Sequence, residues 1–127
     1  MTISEHERTN IFSNKDPLDE IQLNDIKGRI VKNFLDIIIL AELNNQKSGL
    51  SGYDFMMVVH RKFGTLISSG TVYSSLYAIN RKGWVKGIPN GRKTTFVLTD
   101  EGREVLHSIA RSRKELAKFM KDLFESS

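Results

Sequence analysis

Residues 68–85, SSGTVYSSLYAINRKGWV, hold the side chains best suited to chemistry: hydroxyls at Ser68, Ser69, Thr71, Tyr73, Ser74 and Tyr77, cations at Arg81 and Lys82, and a glycine at Gly70. Hydroxyls donate hydrogen bonds to phosphate oxygens, and arginine also pairs with the edge of guanine. At about 100° per residue on a helix, Val72, Leu76 and Ile79 share one narrow sector, the expected core stripe. Gly70, Ser74, Tyr77 and Arg81 lie nearly opposite, with Thr71 and Tyr73 on the flanks. Gly70 would let the helix N-terminus approach a phosphate, where free N–H groups and the helix dipole favour an anion. A polar outer face is also what any soluble helix carries. Tyr73 in particular is open to a second reading, its ring packed on the core with only the hydroxyl exposed.

The charge of the adjoining segment narrows the choice. From Arg81 to Lys93 the chain carries Arg81, Lys82, Lys86, Arg92 and Lys93 and no acidic residue, whereas residues 1–25 are net acidic. A basic patch contiguous with a polar helix face is the electrostatic footprint of duplex binding. The net charge of +4 is too mild to decide this alone. Lys86, Asn90, Arg92 and Lys93 complete the candidate DNA-binding set, and Trp84 is assigned to structure, as a strand residue anchoring the hairpin to the helices.

These residues need elements to hold them. Ser68 is an N-cap for a helix reaching about Lys82, with Gly83 placed as its left-handed stop. Ser51 with Asp54 has capping-box spacing for an earlier helix ending at Gly64. Before it, 31–44 is apolar almost all round, as in a helix buried at the centre of a small domain. Residues 18–32 are loosely helical, interrupted by Gly28. After Gly83, WVKGI and TTFVLT flank a loop containing Pro89 and Asn90-Gly91, a hairpin signature. Thr99 or Asp100 then caps a long helix running to about Phe124. The order is that of a winged helix-turn-helix, in which one helix enters the major groove and the hairpin wing lies along the backbone.

The chain of 127 residues, 39% hydrophobic and 27% charged, fits one globular domain with tails. The expected division is a flexible arm over 1–17, a winged helix-turn-helix DNA-binding domain over 18–99, and a C-terminal helix over 100–127. The fold class is mainly α with a small β-hairpin. There is no cysteine, so disulfides and thiolate metal sites are excluded. The longest apolar run, FLDIIILAEL, is too short to span a bilayer, and the N-terminus lacks the pattern of a secretory signal. A cytoplasmic, nucleoid-associated protein with no membrane partner is expected.

The stretch from about 37 to 106 resembles the PadR family of winged-helix transcriptional regulators. SGYDF at 51–55 is similar to the family's glycine-tyrosine-acid helix start, SSGTVYSSLYAINRKGWV to its recognition helix and adjoining strand, and LTDEGREVL at 98–106 to its strand end and C-terminal helix start. The resemblance implies that Tyr73 contacts DNA, that Thr71 lies near the phosphates, and that Arg92 and Lys93 belong to the wing tip. It also implies a dimer acting on transcription, often as a repressor, and a small-molecule effector as a class of partner. The chain departs from the family at Ser69 and Ser74, where prolines are common. Ser74 adds a hydroxyl on the DNA-facing side, so no base preference carries over.

In the last helix, Leu106, Ile109, Leu116, Met120 and Leu123 recur at three-and-four spacing, Phe119 widens the stripe, and Arg113 interrupts it. Folding back on its own domain and pairing with a second copy both satisfy such a stripe. Pairing is favoured, because the central helices already fill a small core. Leu106, Ile109, Leu116, Phe119, Met120 and Leu123 are thus the expected interface of a homodimer, which would present two recognition helices about 34 Å apart to a roughly palindromic site.

Catalysis is not expected. His6, His60 and His107 are scattered, with no HExxH, phosphate-binding loop, dinucleotide fingerprint or paired carboxylates beside them, so neither cofactor nor metal is called for. The serious alternative is a winged-helix module that binds protein without DNA. It would expose an apolar face on 68–82, where this chain has a polar one.

Overall fold

The structure, a computed structural model, describes residues 16–125. The arm expected over 1–17 lies outside them except at its end, where a helix has already begun. Helix α1 (Pro17–Asn33) is capped by Asp16, whose carboxylate accepts from the Leu18 N–H at 2.8 Å. Pro17 occupies the first turn, where its missing N–H costs nothing. The helix runs through Gly28 uninterrupted and breaks at Phe34, where α2 (Leu35–Asn45) begins. Apolar nearly all round, α2 buries Leu35, Ile39, Leu40 and Leu43 at the domain centre. Its one buried charge, Glu42 at 8% exposure, is paired with Lys62 of the next helix. Such a carboxylate needs that partner, because burial without one is costly.

Strand β1 (Leu50–Ser51) leads into α3 (Gly52–Phe63), where the capping box forms in full: Ser51 Oγ accepts from Asp54 N, and the Asp54 carboxylate accepts from Ser51 N. Gly64 ends α3 at φ 64° and Ser68 caps α4 (Ser69–Arg81). Val72, Leu76 and Ile79 of α4 are wholly buried in the core formed with α2 and α3, as their spacing requires.

The wing comprises β2 (Val85–Asn90) and β3 (Lys93–Leu98). Sequence patterning suggests a loop containing Pro89 and Asn90. The structure places both in β2, with Asn90 opposite Lys93, so the turn is Gly91-Arg92 alone. Gly91 has φ 65° and no described non-glycine residue has positive φ, which matches a type II′ turn with glycine first. Pro89 is tolerated because β2 is an edge strand in the order β1-β3-β2. The third strand, β1, gives no sequence signal: two residues are too few for periodicity. Its pairs, Leu50 with Phe96 and Ser51 with Thr95, tie the start of α3 to the wing. Trp84, expected as a strand residue, stands just before β2, half-buried against the core.

The long C-terminal helix is two helices, α5 (Asp100–Arg111) and α6 (Arg113–Phe124), separated at Ser112. Val105 and Leu106 of α5 pack on the core, whereas α6 buries none of its residues. Among the described residues no helix is long and apolar enough to cross a membrane.

Thr99 joins α4, the wing and α5. Its hydroxyl donates to the Gly83 carbonyl at 2.6 Å and accepts from Gly102 N at 3.0 Å, while its own N–H donates to Trp84 O at 3.1 Å. A Cβ on Gly102 would lie 2.0 Å from that Trp84 oxygen, so only glycine allows the approach. Thr99→Val is expected to lower unfolding free energy by about 1–2 kcal/mol, through loss of both the cap and the donor to Gly83. Thr99→Ser should retain most of it. Urea titration of the three proteins checks this, and a loss in Thr99→Ser with none in Thr99→Val would show that the methyl group, not the hydroxyl, matters.

Candidate nucleic-acid interface

Burial of one stripe of α4 turns the opposite stripe outward. Ser69, Gly70, Thr71, Ser74, Tyr77 and Arg81 are all exposed, with Tyr77 at 53%. Ser68, also exposed, is partly committed: its Oγ accepts from Thr71 N at 3.2 Å and lies 2.9 Å from Thr71 Oγ1. That leaves the Ser69 and Gly70 N–H groups at the helix start without intrahelical acceptors. A Cβ on Gly70 would meet only Ser68 Oγ, at 4.0 Å, so nothing within the chain demands glycine there. The open space faces outward, where a bulky anion can approach the backbone.

Tyr73 takes the second of its two sequence readings as far as its ring is concerned. It is half-buried and packs against the core. Its ring lies directly on Gly52, where a Cβ would come within 2.5 Å of Cζ and 2.7 Å of the hydroxyl oxygen. Tyr77 stands beside it, ring centroids 6.1 Å apart and planes tilted by 33°.

Between this pair, the start of α3 and the wing tip lies a cleft of 330 Å³, lined by Ser51, Tyr53, Tyr73, Tyr77, Arg92, Lys93, Thr94 and Phe96. It gathers four of the expected site residues: Tyr73, Tyr77, Arg92 and Lys93. Lys86 and Asn90 stand elsewhere. Strand alternation puts them on the wing's other face, where Asn90 lines a shallow groove with Ile88, Thr95 and Val97; Lys93, paired with Asn90, has that orientation too and borders the cleft only at the wing tip. Sequence reasoning missed Tyr53 and Thr94. Tyr53 was visible within SGYDF, but only as part of a helix start, and no periodicity relates it to the wing.

Among the described residues Arg81, Lys86, Arg92 and Lys93 make no ion pair, although Arg29, Lys62, Arg103 and Lys118 do. Lys82 is held over the Trp84 ring at 4.5 Å, a cation–π contact that leaves its charge intact. His60 and His107 are exposed on separate helices, and among the described residues no three histidine or acidic side chains are gathered as a metal site.

Solved structures share this fold. A PadR family transcriptional regulator from Eggerthella lenta superposes with a TM-score of 0.65 at 18% identity, covering 85% of this chain and 96% of that one. One from Clostridium difficile gives 0.62 at 23% identity, covering 72% and 98%. A PadR-like transcriptional regulator from Bacillus cereus gives 0.63 at 20% identity, covering 78% and 99%. No family model matches the chain, and no curated protein does. At such identities the likeness establishes the fold: a mainly helical winged helix-turn-helix with a small antiparallel sheet, as in the PadR regulators.

The Gly52–Tyr73 contact is directly testable. Gly52→Ala is expected to cost about 1–3 kcal/mol of unfolding free energy, because the ring must move. In a Tyr73→Ala background the same change should cost little. A double-mutant cycle measures the coupling, and equal costs in the two backgrounds would refute the contact.

Proposed function

We propose that this chain is a sequence-specific, double-stranded-DNA-binding transcriptional regulator of the PadR type, acting as a homodimeric repressor on the nucleoid in the cytoplasm. The observation that carries the reading is the continuity of a polar, outward α4 face with an unpaired basic wing tip. The helix has hydroxyls and Arg81 for base edges and phosphates, and the wing has Arg92 and Lys93 for the backbone. An interaction module that binds only protein would instead need an apolar patch on α4. Tyr77 is the one large hydrophobic side chain exposed there, and it stands among hydroxyls.

Homodimerisation is supported by the C-terminal helices. Leu116, Phe119, Met120, Leu123 and Phe124 are all exposed on α6, Phe119 at 65% and Phe124 at 70%. Their three-and-four spacing makes one stripe suited to a second helix of the same kind. Of the expected interface residues, Leu106 is drawn instead toward its own core and Ile109 is half-buried, so the exposed stripe begins at Leu116. On α1, Leu18 and Ile21 add exposed apolar surface, as does Phe34 just beyond its end. In this reading repression results from occupancy of the DNA. A small-molecule effector would act by changing the separation of the recognition helices and so the fit to paired half-sites.

If a dimer neutralises about six phosphates, log K falls with log salt at a slope of about −5. With duplexes selected from a genomic library, Arg92→Ala/Lys93→Ala is expected to weaken binding to all sequences alike and to flatten that slope by roughly 2–4 units across the dimer. Arg81→Ala should cost selected duplexes more than mixed-sequence ones. Titrations at several salt concentrations measure both effects, and a wild-type chain that binds no duplex would sink the reading. Separately, Phe119→Glu is expected to yield a folded monomer in analytical ultracentrifugation, since a buried unpaired charge opposes association. A dimer of undiminished strength would move the interface away from α6.

A further inference from the structure

We propose that the cleft between α3, α4 and the wing seats the sugar-phosphate backbone of one DNA strand, with Tyr53 as a sequence-independent phosphate contact. This rests on the reading of the chain as a duplex-binding regulator and extends it to a residue outside the recognition helix and the wing.

Three observations meet at this site. First, the lining residues are rich in donors: Tyr53, Tyr73, Tyr77 and Thr94 carry hydroxyls, Arg92 and Lys93 carry cations at the rim, and no carboxylate is among them. Hydroxyls and cations with no carboxylate beside them suit an anion. Second, Tyr53 has no evident task within the domain. Its ring is 62% exposed, and its hydroxyl makes no hydrogen bond among the described residues. It stands in the first turn of α3, the first helix of the helix-turn-helix, which in this motif crosses the backbone while the second enters the groove. Third, the cleft is continuous with the proposed interface. Tyr77 belongs to both the outward face of α4 and the cleft floor, and Arg92 and Lys93 form the opposite wall at the wing tip. A strand lying along α4 therefore runs into the cleft, which favours a polymeric phosphate over a free one.

Position is set by packing. Gly52 admits the Tyr73 ring, and β1 pairs with β3, so the start of α3 and the wing form one frame with Tyr53 on one side and Arg92 on the other. The contact carries no charge of its own. That separates it experimentally from the wing cations.

The test compares full-length wild type, Tyr53→Phe and Arg92→Ala/Lys93→Ala by fluorescence anisotropy, on a duplex selected from the genomic library and on a mixed-sequence duplex. Tyr53→Phe keeps the ring and is expected to leave the thermal midpoint unchanged. It should weaken both duplexes by about tenfold, the lower range for a hydrogen bond to a charged acceptor. The salt slope should stay at its wild-type value, because a neutral hydroxyl releases no counterion. Undiminished affinity on both duplexes overturns the proposal, and so does a loss confined to the selected duplex, which would make Tyr53 a base contact. If inorganic phosphate at matched ionic strength displaces the duplex from wild type but not from Tyr53→Phe, the cleft belongs to a free anion and the proposal fails. Weakening by the wing variant with Tyr53→Phe intact removes only the cleft assignment. Failure of wild type to bind either duplex removes the wider reading as well.

Discussion

Val72, Leu76 and Ile79 are removed from solvent completely, and their burial dictates where every other side chain of α4 points. Each contributes about 1.5–3 kcal/mol by leaving water, so rotating the helix to hide its polar face would forfeit a large part of a small domain's stability. The outward line of Gly70, Ser74, Tyr77 and Arg81 is therefore a consequence of the core. The apolar α2 supplies the other side of that core, and the Glu42–Lys62 pair ties it to α3 without leaving a charge unmatched.

The wing is seated by Val85 and Phe96, both buried in the core, and by backbone contacts at its base. Thr99 binds the end of α4 at Gly83 and the start of α5 at Gly102, so α4, the wing base and α5 meet at one residue. At the other side β1 pairs with β3 and carries the N-terminus of α3 with it. Two short backbone ladders and one hydroxyl thus hold the elements around the tyrosine cleft in fixed relation. In contrast, α6 is set off from this body at Ser112 and keeps its apolar stripe exposed.

Charge is distributed to match that framework. Three carboxylates at helix starts are occupied locally: Asp16 and Asp54 accept from backbone N–H groups, and Asp100 binds Arg103. The cations of α4 and the wing tip find no such partner among the described residues. A surface of this kind repels itself mildly in isolation and gains most when a polyanion neutralises it.

Local chemistry made much of this legible from the amino-acid sequence. Capping at Ser51, Ser68 and Thr99, the left-handed glycines at 64 and 83, and the three-residue stripe of α4 depend on neighbours within one helical turn, and all stand as their spacing implies. The polar face and the basic run were readable for the same reason. Other features depend on residues far apart in the chain. No pattern near Tyr73 reveals that its ring rests on Gly52, nor does any feature of SGYDF bring Tyr53 to the wing. Periodicity suggests one helix from Thr99 to Phe124; Arg113 interrupts its stripe, but spacing alone does not tell a break in the helix at Ser112 from a polar residue in a continuous one. It likewise leaves open whether Leu106 faces inward or toward a partner, since an amphipathic stripe says only that a side must be covered. Sequence alone determined most of the helices, the hairpin and which faces are polar, because short-range hydrogen bonding and side-chain period govern them. Only the tertiary structure decided which polar groups share a cleft, because that depends on long-range strand pairing and close backbone approach.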